Sequence, residues 1–282
     1  MPSVDALAKH NRMPHAFAPP PRSLLYVPAS NARALDKART LPADMLLIDL
    51  EDAVPADRKD AARAAMQAAV AAGFPGKRVA VRINAHGHPE QTADLAAVAA
   101  VACDVLVVPK VDAASELAAP AALGRPLLAM IESAIGIYAA RDIAAHAAVA
   151  GLIAGLNDLA IDLRLPDVTD RHAMQFAIQS LVLAARAGGK LVFDGVYNAI
   201  DDAAGFAAEV AESRRLGFDG KTLVHPSQIV ACNAAFAPTP AEIEEAEAII
   251  AAAAGGAQRF RGRMIEDMHF ALARALLARL QG

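Results

Sequence analysis

Short runs of apolar and β-branched residues recur along this chain, each followed by a polar turn and a longer alanine-rich stretch with helical spacing. Eight such runs read as strands, at residues 23–27, 45–50, 78–83, 105–109, 127–131, 151–156, 191–193 and 221–224. Helical patterns cover 32–40, 57–72, 113–122, 171–187 and 202–216, and another helix begins at Pro226 and runs to about Phe236. Strands that alternate with helices pair in parallel, because each crossover returns the chain to the same end of the sheet. An eightfold alternation on this length predicts a closed α/β barrel of the TIM (βα)8 type. An open doubly wound sheet is the alternative, but no Gly-x-Gly-x-x-Gly turn follows the first strand.

Prolines punctuate this pattern at both ends. Pro19, Pro20 and Pro21 form a stiff leader, and Pro238 and Pro240 mark a second boundary. The expected organisation is a leader at 1–21, the barrel at 22–237 and a C-terminal helical extension at 238–282. Two helices are expected in the extension, at 241–254 and 264–280, joined by Gly255, Gly256 and a basic link at 259–263. Lying outside the barrel count, this extension is expected to act as a lid or an assembly arm.

Composition removes several function classes. Aromatic residues are 4% of the chain, Trp is absent and the net charge is −4, so nucleic acid finds neither a stacking platform nor a basic footprint. Hydrophobic residues reach 55%, yet no stretch is long and apolar enough to span a membrane. The first residues carry scattered charges and no apolar signal core, and Cys103 and Cys232 are far apart without metal-ligand spacing. A cytoplasmic protein with reduced thiols is expected.

In a parallel barrel, functional side chains gather at the C-terminal strand ends, where the βα loops surround the mouth. Here those ends carry Asp49, Glu51 and Asp52, then Arg82 and Asn84, Lys110, Glu132, Asn157 and Asp158, Asp194, and His225. A single Asp before a helix is usually a cap; so many charged ends on one rim are harder to explain that way. Glu132 and Asp158 follow adjacent apolar strands, and a hard cation such as Mg²⁺ takes one or two carboxylates, leaving the rest of its shell to water and substrate. The alternative is that both merely cap helices starting at Ser133 and Leu159. Arg82 needs an anionic partner, which is either a bound carboxylate or Asp49 or Glu51 across the strands. Asp49 and Glu51 share one strand face.

Taken together, the motifs resemble the citrate lyase beta-subunit group, which includes citramalyl- and malyl-CoA lyases of a larger aldolase superfamily. The resemblance rests on Arg22-Ser23-Leu24-Leu25-Tyr26-Val27-Pro28, Asp49-Leu50-Glu51-Asp52-Ala53-Val54, Val81-Arg82-Ile83-Asn84 and Val108-Pro109-Lys110. It continues through Ile131-Glu132-Ser133-Ala134, Leu156-Asn157-Asp158-Leu159, Gly217-Phe218-Asp219-Gly220-Lys221, His225-Pro226-Ser227-Gln228-Ile229 and Ala237-Pro238-Thr239.

The resemblance implies a Mg²⁺-dependent carbon–carbon lyase. Such an enzyme cleaves or forms a short hydroxyacyl-CoA thioester, such as citryl-, citramalyl- or malyl-CoA, giving an oxo acid and an acyl-CoA. Glu132 and Asp158 would hold the metal, Arg82 the oxo-acid carboxylate and the reacting oxygens, and Glu51 would assist nearby. Asn84, Lys110 and Arg22 join Arg82 and Glu132 as substrate-binding candidates. The residues themselves, with no Gly-rich phosphate loop among them, would set a coenzyme A against Arg22, Arg33 and Lys37 and the helix start at Ser30 and Asn31; a solvated basic helix face is the alternative. The resemblance further implies a homo-oligomer, a trimer or a multiple of one, in which a C-terminal Gly-x-Met-Ile-Asp motif supplies an acid to a neighbouring site. This chain reads Gly262-Arg263-Met264-Ile265-Glu266-Asp267, so Glu266 or Asp267 takes that catalytic place. The change signals a different substrate or an altered activity such as thioester hydrolysis. Two other readings stay open: an aldolase for a free hydroxy-oxo acid without CoA, and a non-catalytic subunit of a larger lyase.

Overall fold

The structure is a computed structural model that describes residues 17, 19–252, 256–278 and 280. Its chain divides into two compact units, Pro20–Phe236 and a second made of Met1–Pro19 with Ala237–Gly282.

Eight parallel strands close into a barrel in sequence order: β1 (Ser23–Pro28), β2 (Met45–Asp49), β3 (Arg78–Arg82), β4 (Val105–Val108), β5 (Leu127–Ile131), β6 (Val149–Ala154), β7 (Leu191–Asp194) and β8 (Gly220–Leu223). β8 pairs with β1 to complete the ring, so this α/β chain has the TIM-type (βα)8 architecture. Around it lie α1 (Ala32–Ala38), α2 (Lys59–Ala72), α3 (Gln91–Ala99), α4 (Ala118–Ala121), α5 (Ala134–Ala145), α6 (Leu156–Asp162), α7 (Gln175–Ala187), α8 (Ala203–Leu216) and α9 (Ile229–Phe236).

Period-two alternation splits the strand residues into two cores. Leu46, Ile48, Val81, Leu106, Val108, Ala129 and Ile131 pack outward against the helices in one continuous cluster. Their neighbours Met45, Leu47, Ala80, Val105, Val107, Leu128, Ile153 and Phe193 are also buried but lie outside that cluster, and they fill the barrel interior. Both faces of each strand are therefore buried, which explains the nearly unbroken apolar runs.

Two boundaries differ from the sequence reading. β6 begins and ends earlier than expected, and residues 156–162 form the short α6 instead of continuing as strand. The 113–122 helix is a 3₁₀ turn followed by the single-turn α4.

The second unit contains α10 (Pro240–Ala251), an antiparallel pair β9 (Gln258–Phe260) and β10 (Arg263–Ile265), and α11 (Asp267–Ala278). Thr239 and Glu242 form a reciprocal capping box at the start of α10. The expected second helix from 264 therefore starts at Asp267, and the basic link folds as a hairpin. Arg261 (φ 46°) and Gly262 (φ 84°) make the two-residue turn, the backbone pairing that matches the twist of a tight hairpin. Glu245 holds the turn through Arg261 at 2.6 Å and through Arg263. Gly255 lies outside the described residues. Among the described residues, no helix is long and apolar enough to cross a membrane.

Candidate active site

Arg82 ends β3, points into the barrel and stands opposite Asp49, the last residue of β2. Its Nε and Nη2 donate to the two Asp49 oxygens at 2.8 and 2.7 Å, a two-pronged clamp that fixes the guanidinium plane. Asp49 also accepts the backbone N–H groups of Glu51 (2.9 Å) and Ala53 (3.2 Å), which folds the chain after β2. Arg82 Nη1 then lies 3.0 Å from Glu51 Oε2 and 3.8 Å from Met130 Sδ, and the guanidinium carbon sits 4.8 Å from the centre of the Tyr26 ring. Glu51 Oε2 is buried and accepts no hydrogen bond despite that ion pair, so only charge attraction holds it. Burial opposes the Arg82 charge, but Tyr26, Asp49 and Glu51 hold its pKa well above the ordinary value.

Glu132 and Asp158 come from neighbouring strand ends. Ile131 and Ala154 are register partners in β5 and β6, so Glu132 and Gly155 emerge side by side. A Cβ on residue 155 would collide with the Glu132 Cβ and carboxyl group; glycine is what lets that carboxylate lie across β6. The backbone N–H of Lys110 donates to Glu132 Oε1 at 2.7 Å. Burial, and then the negative charges of Glu51 and Asp158, push the Glu132 carboxyl up to about 8. Asp158 sits in the first turn of α6, where the helix N-terminus favours negative charge.

Lys110 joins the two groups. Its Nζ lies 2.7 Å from Glu51 Oε1, 3.4 Å from Asp52 Oδ1 and 3.6 Å from Asp158 Oδ2. Tyr26, Asp49, Arg82, Met130, Glu132 and Asp158 line one cavity of about 390 Å³. A second depression of about 480 Å³ shares Glu132 and Asp158 and is lined by Lys110. Among the described residues, no group of three His, Cys, Asp or Glu side chains could enclose a metal alone. Two carboxylates beside open space are a donor set for a hard cation that completes its shell with water or ligand oxygens.

Residues 22–226 match the family model for HpcH/HpaI aldolase/citrate lyase, a span that includes all eight barrel strands and this site. The chain belongs to that family. It is 44% identical over 273 residues to a (3S)-malyl-CoA thioesterase from Cereibacter sphaeroides, covering 94% of this chain and 96% of that protein. It is 34% identical to the citrate lyase subunit beta of Escherichia coli, covering 92% and 93% of the two chains. Among solved structures, CitE from Mycobacterium tuberculosis in complex with magnesium, acetoacetate and coenzyme A superposes with a TM-score of 0.80 at 31% identity, covering 93% of this chain and 98% of that one.

Within this aldolase/citrate lyase barrel, several charged strand ends do not reach the cavity. Asn84 is buried and spends its amide on the protein: it donates to Asp94 Oδ2 and the Leu50 carbonyl and accepts from Lys59 Nζ at 2.9 Å. Arg22 precedes β1 and pairs with Asp44, which precedes β2, at 2.8 Å. That is the N-terminal end of the barrel, roughly 20 Å of strand from the rim. The structure does not bring Arg22 to the site. Asp194 points outward from β7 into the helical layer, where it meets Lys221, Arg171 and Ser213. His225 caps the turn after β8 through Ser227. Glu266 and Asp267 belong to the second unit, at the start of α11, where the Glu266 N–H donates to His269 Nδ1 at 3.0 Å.

Sequence reasoning missed Tyr26, Met130 and Gly155 as wall residues. Tyr26 could have been found by parity, since it shares the inward face of β1 with Leu24. Its phenol is pushed up by burial, and among the described residues its hydroxyl bonds only Met130 Sδ, at 4.0 Å.

Proposed function

We propose that this protein is a Mg²⁺-dependent enzyme acting on a short hydroxyacyl-CoA thioester of the malyl-CoA type, and that its reaction is hydrolysis of the thioester. The observation that carries the metal and the anionic end of the substrate is the convergence of Glu132 and Asp158 on one cavity that also holds the Arg82 guanidinium. The CoA thioester class is supported by the malyl-CoA thioesterase relative and the coenzyme A-bound CitE neighbour. The choice of hydrolysis is supported by the higher identity to the malyl-CoA thioesterase, 44% against 34% for the citrate lyase subunit.

Glu132 and Asp158 would hold Mg²⁺, which as a Lewis acid polarises a carbonyl or lowers the pKa of a hydroxyl or water. Arg82 is locked to Asp49 on two donors and keeps Nη1 facing the cavity, where it can bind a substrate carboxylate or an oxygen gaining charge. Losing such a donor typically costs ~3–4 kcal/mol of barrier. Burial pushes the Glu51 carboxyl up, against the pull of Arg82 and Lys110. Its unbonded Oε2 is positioned to accept a proton, from an attacking water in hydrolysis or from a substrate hydroxyl in carbon–carbon cleavage. The two reactions differ mainly in which oxygen loses that proton. Cleavage is the second reading, favoured by the citrate lyase relative and the same Arg82–Glu51 pair.

The remaining parts of this proposal are a catalytic barrel at 22–237 and an arm at 238–282, a trimeric assembly in which Glu266 or Asp267 reaches a neighbouring site, and residence in the cytoplasm, which suits the free buried Cys103 and Cys232.

One incubation separates the readings. With malyl-CoA and Mg²⁺, hydrolysis releases a free thiol with malate and no oxo acid. Cleavage releases glyoxylate while the thioester passes intact to acetyl-CoA. Neither product, across a panel of hydroxyacyl-CoA thioesters, overturns both.

A further inference from the structure

The rim around Glu132 is short of positive charge. Asp49, Glu51, Asp52, Glu132 and Asp158 face two cations, Arg82 and Lys110, and Arg82 is engaged by Asp49 and Glu51, leaving Asp158 to Lys110. Lys110 reaches Asp158, and shares Glu51 with Arg82, in an unusual backbone state. Its φ is 52°, the left-handed region that costs a side-chain-bearing residue more than glycine. Only Arg164 and Arg261 share that sign among the described non-glycine residues. The conformation aims the Lys110 N–H at Glu132 Oε1, 2.7 Å away, a task that glycine would perform without strain. The side chain must therefore matter. Its Nζ stands 2.7 Å from Glu51, 3.4 Å from Asp52 and 3.6 Å from Asp158. No other ion pair or hydrogen bond engages the Asp158 carboxylate among the described residues.

We propose that Lys110 is a positioning residue that serves as the rim's internal counter-charge, holding Asp158 toward Glu51 before a divalent cation arrives and releasing it when one binds. The proposal rests on the reading of Glu132 and Asp158 as the cation's ligands. An ammonium and a divalent ion cannot share Asp158 without cost, because like charges a few ångströms apart repel. The Lys110 side chain is 42% exposed, so its ammonium has room to leave Asp158 while Glu51 keeps it nearby. The consequence is a cation affinity below what the carboxylates alone would give. Metal then binds well only together with a ligand that brings oxygens of its own, which couples metal loading to substrate.

Calorimetric titration of the substrate-free protein with MgCl₂ tests this directly. Lys110→Met should bind Mg²⁺ about tenfold more tightly than the wild type. Lys110→Arg keeps the charge and should keep the weak affinity. Lys110→Gly removes charge and strain together, so it should match the gain of Lys110→Met and also melt at a higher temperature than Lys110→Met. A purely structural lysine would yield no gain in affinity. Equal or weaker Mg²⁺ binding by Lys110→Met overturns the proposal, provided that Glu132→Gln abolishes wild-type binding. If Glu132→Gln leaves that binding intact, the cation site itself is misassigned and both ideas fall.

Discussion

Two buried charge clusters sit at C-terminal strand ends of the same barrel, and they are built from the same residue types. Beyond β7, Asp194 faces outward. Its Oδ2 accepts from Lys221 Nζ at 2.9 Å and from the Ser213 hydroxyl at 2.5 Å, and its Oδ1 accepts from Arg171 Nη1 at 3.1 Å and the Gly195 N–H at 2.9 Å. Glu209 and Glu212 complete the set on Lys221 and Arg171, at 2.7 Å each. Burial alone would raise the Asp194 carboxyl, yet Lys221, Arg171 and the Ser213 hydroxyl hold it below the ordinary range. Beyond β5, Glu132 faces inward, is pushed up to about 8, and has nearby a Glu51 oxygen without a hydrogen bond. Three carboxylates meet two cations in the first cluster; five meet two in the second. Each cluster keeps one buried atom held by charge alone, Arg171 Nη2 in the first and Glu51 Oε2 in the second. What separates them is charge: a nearly balanced network fixes a layer of the fold, whereas one with excess negative charge is suited to a cation.

The largest test strikes the outward cluster. Lys221 is fully buried, so Lys221→Met removes one of the two cations that Asp194 and Glu209 share and leaves Arg171 alone against three carboxylates; the expected loss is ~3–5 kcal/mol of stability. Urea or thermal unfolding reads it. A change below ~1 kcal/mol would show that the two clusters do not differ in kind.

The next test strikes the inward cluster by shape. Gly155→Ala puts a methyl group where the Glu132 carboxyl lies. Overpacking should cost ~1–3 kcal/mol of stability, while misplacing a reacting group by an ångström can cost ~100-fold in rate. Turnover and Mg²⁺ binding should therefore fall far more than the melting temperature. The reverse ranking would mean that Glu132 is there for packing.

This contrast also marks what was legible in the sequence. Apolar runs disclosed all eight strands, because residues buried on both faces leave no polar interruptions. Alternation placed Asp49 and Glu51 on one face, and the structure has both beside Arg82. The same rule, applied to β7, would have excluded Asp194 from the rim: Phe193 points in, so its neighbour points out. Arg22 reads as a substrate contact only from its basic charge near the first helix, whereas it precedes a strand whose other end opens on the cavity. The short α6 and the Arg261–Gly262 hairpin turn were missed, since neither is long enough to show a period. Gly155 was illegible for a different reason. Its importance depends on where a side chain from another strand lies, which no local pattern contains.

The smallest test separates the clusters by pH. In the metal-free protein the folded-state pKa of Glu132 is about 8, above the ordinary carboxyl value of 4.5 that applies when the chain is unfolded. The folded state thus prefers the protonated form, and the associated stability is complete below pH 4.5 and lost as pH rises through about 8. Glu132→Gln cannot ionise, so its stability advantage over the wild type should grow across that window, by at most ~1.4 kcal/mol per pH unit. Between pH 7 and 8 that is about 3–4 °C in melting temperature. Asp194→Asn should trend the opposite way, because its folded pKa is depressed: the wild type's advantage is present above the unfolded value and lost only as pH falls into the acid range. Added Mg²⁺ selects the ionised Glu132 and should erase the Glu132→Gln advantage while leaving the Asp194→Asn deficit untouched. A Glu132→Gln advantage that stays constant from pH 5 to 8 would mean that some other group carries the excess charge of the inward cluster.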